Sequence, residues 1–228
     1  MREERMRRAP GGAWRRVWDE VTSPFDRISE ATYGVIMTLT IVSVLSAAGG
    51  ASREGMIAAA LGCNLAWGLV DALMLLVRLR VERLHRHNRF AALRREDAEA
   101  GFRAGLEEFL PGALLDRLDG KEIWGLRQQL LASHLGRERP PAAGIEDYLA
   151  ALLVVALVFF STFPLVLPLW WLADPQLALR SAQFIGVLML ALLGWLLSRW
   201  AGDRSPLGAL GFTALGVGMI LLCVALGG

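Results

Sequence analysis

Asn64, Trp67, Gly68 and Asp71 recur at i, i+3, i+4 and i+7 inside an apolar run from about Met56 to Leu79. The run is long enough to cross a bilayer as a helix, and the spacing places the four residues on one face. A carboxylate deep in a membrane costs about 2.5–3.5 kcal/mol on insertion scales, so this face must turn from lipid toward other helices or a wet cavity. Two chemistries suit it. Asp71 is either capped by a neighbouring helix and serves assembly, or it is a site for a cation or proton. A second constellation precedes it: Glu30, Tyr33, Gly34, Met37 and Ile41 share a helix face. Glu30 and Met37 set a hard oxygen and a soft sulfur on one side, a combination suited to a borderline divalent metal, or simply a mouth-level acid beside a packing methionine. The short Gly49–Gly55 turn makes the two segments adjacent and antiparallel. Glu30, Gly34 and Met37 are then the expected partners of Asn64 and Asp71. Two carboxylates, a thioether and an amide would converge across one cleft, doubled if the chain dimerises.

Two further groups carry potential chemistry. Glu96, Glu99 and Glu107, with Glu108 adjacent, fall on one side of a polar helix expected over Glu96–Leu110. Clustered carboxylates can hold a divalent cation, whereas the arginines interleaved here point to a solvated charged face. Ser161, Pro164 and Pro168 lie along one face of a later apolar segment, where proline frees carbonyls that neighbours or water must satisfy. Thr38 and Thr40 can return their hydroxyls to the backbone and need no other role. His85, His87 and His134 have no carboxylate or thiol at a metal-binding spacing and read as surface residues. No Walker loop, dinucleotide fingerprint or zinc-protease motif occurs, so no enzyme is expected.

These residues require membrane helices to position them. Of the 228 residues 54% are hydrophobic and mean hydropathy is +0.42, values that soluble domains rarely reach. The net charge of +2 conceals segregation: Lys121 is the single lysine, and the arginines concentrate in Met1–Arg27, Arg78–Arg139 and Arg199–Arg204. Cys63 and Cys223 both lie in apolar runs and form no disulfide framework or zinc spacing. The arginine-rich start lacks the pattern of a cleavable signal peptide.

Hydropathy and breaks predict an all-α integral membrane protein with five spans, at about Ala31–Ala48, Met56–Leu79, Tyr148–Ala173, Leu177–Leu197 and Leu207–Leu226. Residues 1–30 form an amphipathic segment whose Trp14, Val17, Trp18 and Val21 suit a helix in the headgroup plane. Residues 31–79 hold spans one and two, 80–146 a polar helical insert, and 147–228 spans three to five. Within the insert, helices are expected at about Arg80–Ala92, Glu96–Leu110 and Lys121–Leu135, with Pro140 and Pro141 ending it. Ala214 and Gly218 offer a small-xxx-small face for close helix approach. With the N-terminus cytoplasmic, all three arginine-rich segments fall inside, and the C-terminus lies outside.

This layout resembles the vacuolar iron transporter family. The resemblance rests on Pro24-Phe25-Asp26-Arg27-Ile28-Ser29-Glu30 leading into Tyr33-Gly34, on Gly62–Asp71, on Ser161-Thr162-Phe163-Pro164, and on the insert between spans two and three. It implies a homodimer in a bacterial inner membrane that exports Fe(II) or Mn(II) from the cytoplasm in exchange for protons, along a path between subunits. The metal is then a substrate and no cofactor is implied. By the same resemblance the path would use Glu30, Tyr33, Met37, Asn64, Asp71, Ser161 and Pro164, and the insert would gather metal through Glu96, Glu99, Glu107 and Glu108. The chain departs from the family pattern at specific points. Tyr33 stands where the family has Asp, Asn64-Leu65-Ala66-Trp67-Gly68-Leu69 replaces its Ser-Met-Ala-x-Gly-Glu run, and no Met occurs between Arg80 and Tyr148. Two other functions fit the sequence: a membrane protein that does not transport and whose insert binds a partner or senses a signal, or a transporter or channel for another solute.

Overall fold

The computed structural model describes residues 23–47, 49, 52–136 and 142–227. The amphipathic segment around Trp14 and Trp18 and the break at Pro140–Pro141 lie outside them. All regular elements among the described residues are helices: α1 Pro24–Ala47, α2 Arg53–Arg95, α3 Glu99–Leu106, α4 Gly112–Leu115, α5 Gly120–Ala132, α6 Ile145–Ser161, α7 Phe163–Trp171, α8 Pro175–Trp200 and α9 Leu207–Gly227. Five stretches are long and apolar enough to cross a membrane: α1, α2, the α6–α7 pair, α8 and α9. The protein is a multi-pass membrane protein. It divides into two compact units, residues 1–75 with 145–228, and residues 76–144.

In the first unit each helix start has a local cause. Pro24 opens α1, where its missing N–H would have had no helical partner. Ser23 and Asp26 cap it reciprocally: Asp26 N–H donates to Ser23 Oγ at 3.1 Å, and Ser23 N–H donates to Asp26 Oδ2 at 2.9 Å. Ser52 Oγ accepts the Gly55 N–H at 3.1 Å, so α2 begins at Arg53 and the preceding turn is shorter than expected. Asp174 caps α8 through the Leu177 N–H at 2.9 Å, with Pro175 in its first turn. Before α9, Asp203 accepts from the Ser205 hydroxyl and N–H, and these bonds hold its carboxyl below the usual carboxylate range.

Span three has the expected extent, and the distortion expected of its prolines is a full break. It is two helices that break at Thr162, with Pro164 in the first turn of the second. Pro164 supplies no N–H to continue α6, and the hydroxyls of Ser161 and Thr162 both turn back to the Val158 carbonyl, at 2.8 and 3.4 Å. Two apolar groups form the interior. Val35, Leu39, Leu165 and Leu190 make one; Val42, Ile57, Ala60, Val166, Leu169, Ala178 and Ala182 make the other. Outside them the large apolar side chains are bare: Phe184, Leu188, Leu192 and Trp171 are all exposed, as lipid-facing residues are. The Ala214–Gly218 pair is a correction. Both are exposed and a Cβ on Gly218 would meet nothing, whereas one on Gly208 would lie 2.5 Å from the Gly194 carbonyl oxygen. The close approach of α8 and α9 therefore uses Gly194 and Gly208, on a different face of α9.

The second unit has its own core of Leu93, Phe102, Leu106, Leu115 and Ile123. The helix expected to begin near Arg80 is the continuation of α2, which runs 43 residues because no Gly or Pro interrupts it after Gly68. The helix expected over Glu96–Leu110 shortens to α3, Glu99–Leu106. Its missing start has a distant cause. Arg127 Nε donates to the Glu96 carbonyl at 3.0 Å and its guanidinium binds Asp97, which holds the chain in a break where helix was expected. Asp119 and Glu122 form a capping box that starts α5. At its other end the Arg94 guanidinium donates to the carbonyls of Leu130, Leu131 and Ser133 at 2.6, 2.9 and 3.1 Å, satisfying acceptors that a helix end leaves open.

Candidate functional site

The site lies where α1, α2 and α6 meet in the first unit. Small residues bring the three helices together. A Cβ on Gly34 would sit 2.0 Å from Ser161 Oγ and 2.5 Å from the Val158 carbonyl oxygen, and one on Gly68 would sit 3.2 Å from Val155 Cα. Neither position tolerates a side chain without movement, so backbones approach here as in other small-residue membrane contacts.

Along this seam α1 and α2 pair polar groups at two levels. At the first, the Asp71 carboxyl faces the Glu30 carboxyl across the seam. Oδ2 of Asp71 and Oε2 of Glu30 are both buried, and Asp71 Oδ2 has no hydrogen-bond partner among the described residues. At the second level, about 10 Å along the helix at 1.5 Å per residue, is Asn64. It is fully buried, and its Nδ2 donates to Thr38 Oγ1 at 2.7 Å and to the Gly34 carbonyl at 3.4 Å. Thr38 Oγ1 already donates its own hydrogen to the Gly34 carbonyl at 2.8 Å. Both atoms facing the amide are therefore acceptors, which fixes its orientation: Nδ2 points at them and Oδ1 points away. Oδ1 is buried with no partner among the described residues, an acceptor open to water or a cation.

The residues expected along a path are distributed as follows. Glu30, Asn64 and Asp71 share the α1–α2 seam. Met37 is half-buried on α1, while Tyr33 is half-exposed and turns away from the face that buries Gly34. Trp67 is likewise exposed, so only Asn64, Gly68 and Asp71 of the four α2 residues form the inward face. Ser161 is buried against Gly34, but its hydroxyl is spent on the Val158 carbonyl. Pro164 is half-buried in the first turn of α7.

In the second unit the four glutamates are not gathered. Glu96 precedes α3, Glu99 begins it, and Glu107 and Glu108 follow it. Glu108 is engaged by the Arg89 guanidinium and by His85 Nε2, the latter at 3.0 Å. Among the described residues no three of His, Cys, Asp and Glu come together.

Two participants escaped the sequence reading. Thr38 returns its hydroxyl to its own backbone, as its position in a helix predicts, and also accepts from the Asn64 amide. Its place eight residues after Glu30, on the Glu30–Gly34 face, was the available signal. Asp147 is 2% exposed and has a partner within the protein. It opens the buried stripe Asp147, Ala150, Ala151, Val154, Val158 and Ser161, a helical spacing legible in the sequence. No family model matches the chain, and no curated protein matches it.

Proposed function

We propose that the chain is a membrane transporter that exchanges a divalent cation for protons, with the Glu30–Asp71 carboxyl pair as the exchange site. One observation carries this reading: two acidic side chains from different membrane-spanning helices face each other, each with a buried carboxyl oxygen. Carboxylates only accept, so two carboxyl groups this close share a hydrogen bond only when one holds a proton. A divalent cation competes for the same oxygens and displaces that proton. Occupancy by metal and by proton is then mutually exclusive, which is the requirement for exchange. A purely structural contact needs no such pair, since Asn64 and Thr38 show that neutral groups bridge the same helices.

The donors at the pair are hard oxygens, which suit a divalent cation such as Fe(II) or Mn(II). The layout's resemblance to the vacuolar iron transporter family favours the same substrates and a homodimer, whose second copy would complete a coordination sphere that two carboxylates leave open. The arginine distribution favours a bacterial inner membrane with the N-terminus and the 76–144 unit in the cytoplasm and the C-terminus outside. Reporter fusions after Gly120 and at Gly228 are expected to lie on opposite sides of the membrane; the same side for both would remove the proposed topology.

A second reading has one specific observation in its favour. Residues 76–144 form a compact unit with a separate core, and Trp124 is exposed on it with Arg127 stacked at 4.9 Å. A membrane protein that does not transport and docks a partner through this unit would be built the same way. Metal-driven flux by the purified protein in liposomes separates the two.

A further inference from the structure

We propose that the break between α6 and α7 carries a second site, for a monovalent metal cation, which stands whether or not the Glu30–Asp71 pair exchanges metal for protons. Its level is fixed by contacts on either side of Asn64. Toward the start of α2, Ala60 shares a core group with Val166 and Leu169 of α7. Toward the other end, Gly68 packs on α6, where a Cβ would lie 3.2 Å from Val155 Cα and 3.4 Å from Val158 Cβ. Asn64 is one turn from each on the same face, so it faces the stretch between Val158 and Val166 that contains the break at Thr162. From α1, Gly34 meets the same stretch. A Cβ there would run into Ser161 Oγ, and the Gly34 carbonyl accepts the Asn64 amide at 3.4 Å. Thr162 itself is fully buried.

What these groups present is oxygen without hydrogen. Asn64 spends its Nδ2 on two acceptors of α1, which leaves Oδ1 for the α6–α7 side, fully buried and with no hydrogen-bond partner among the described residues. Pro164 has no N–H for the Phe160 carbonyl, its helical partner four residues back. The Leu165 and Val166 N–H groups both donate to the Thr162 carbonyl, at 3.1 and 3.2 Å, which draws the Leu165 N–H from the Ser161 carbonyl. The hydroxyls of Ser161 and Thr162 give their hydrogens to the Val158 carbonyl and keep their lone pairs. An acceptor-only lining recruits a cation and rejects an anion. The lining is also neutral, and that sets the charge. Taking an ion out of water costs more the higher its charge, and neutral oxygens alone replace the hydration shell of a monovalent ion, as in filters built of backbone carbonyls. Broken membrane helices supply freed carbonyls to such ions. A divalent ion calls for the carboxylates at the other level of the seam.

The probes are Na⁺ and K⁺. Each chloride is titrated calorimetrically into the full-length protein in a neutral detergent, against choline chloride of equal ionic strength, and the thermal unfolding midpoint is followed in parallel. The wild type is expected to give saturable heat and a raised midpoint with at least one of the two metal ions and not with choline; the ion that responds more strongly is the one the site takes. Asn64→Leu keeps the side chain's bulk and strands no donor on α1, because Thr38 already donates to the Gly34 carbonyl. It should weaken binding by about tenfold or more, the loss expected when a charged species forfeits one oxygen. Pro164→Ala returns an N–H to the Phe160 carbonyl and should weaken binding with Asn64 still in place, so it carries the comparison if Asn64→Leu fails to fold. Gln183→Leu removes an amide bonded to Ser43 at 3.1 Å elsewhere on α1 and should bind as the wild type does. No divalent metal or proton gradient enters the measurement, so its outcome is read separately from flux. The absence of any metal-specific response in the wild type, which would leave a buried water only, overturns the proposal. So does wild-type affinity in folded Asn64→Leu or Pro164→Ala, or an equal loss in Gln183→Leu.

Discussion

Asp71→Asn is expected to assemble as the wild type does while metal flux falls at least about thirtyfold, the counterpart of the 2 kcal/mol or more that follows disruption of a buried charged pair. The amide has the size of the carboxyl and donates a hydrogen bond to Glu30, so the α1–α2 contact survives. What disappears is the exchangeable proton and the negative charge that would hold a cation in its place. Glu30→Gln should reproduce the loss from the other side. Because the two groups act as one site, the double variant should cost little more than either single one, since coupled residues are not additive. Flux assays of the four proteins in liposomes, with gel filtration to verify assembly, check this. Normal flux in a stably folded Asp71→Asn protein would leave Asp71 a packing element.

The second large effect is structural. Gly34→Val should destabilise the membrane unit by about 1–3 kcal/mol, as overpacking does. Two atoms oppose the new side chain. The Ser161 hydroxyl can rotate away, but the Val158 carbonyl is backbone and cannot, and a Cβ would lie 2.5 Å from its oxygen. Relief requires α1 and α6 to separate. That movement pulls the Gly34 carbonyl from the Asn64 amide and breaks the second polar level of the seam. Thermal unfolding in detergent, followed by the loss of the monodisperse gel-filtration peak, should shift down for Gly34→Val. Gly218→Val, with open space around it, should not shift. Ser161→Gly should rescue Gly34→Val only in part, because the carbonyl remains.

Much of this architecture is legible in the residue order. The five apolar stretches announce themselves, and the pairing of Glu30 with Asp71 follows from a short connection between antiparallel neighbours. Periodicity was less able to resolve which of two adjacent residues faces inward. Gly34 is buried and Tyr33 beside it is not; Gly68 is buried and Trp67 is not. Consecutive helix positions differ by about 100°, so a face drawn from spacing alone is broad enough to include both. Packing decides, because only the glycines let α6 come close. The same reason misdirected Ala214 and Gly218: several small residues lie on α9, and the partner glycine on α8 selects among them. The break at Glu96 depends on Arg127, 31 residues away, a tertiary bond that no local pattern announces. The uninterrupted length of α2, by contrast, was written in the absence of Gly and Pro after Gly68.

Proton–metal exchange at the Glu30–Asp71 pair is tested most directly by loading liposomes containing the wild-type protein with a pH-sensitive dye and imposing an inward gradient of Mn(II) or Fe(II). The account predicts that metal entry acidifies the outside and alkalinises the lumen, that an opposing pH gradient slows it, and that Asp71→Asn abolishes both movements. Metal entry with no accompanying proton movement, or no metal entry by the folded wild-type protein, would contradict it.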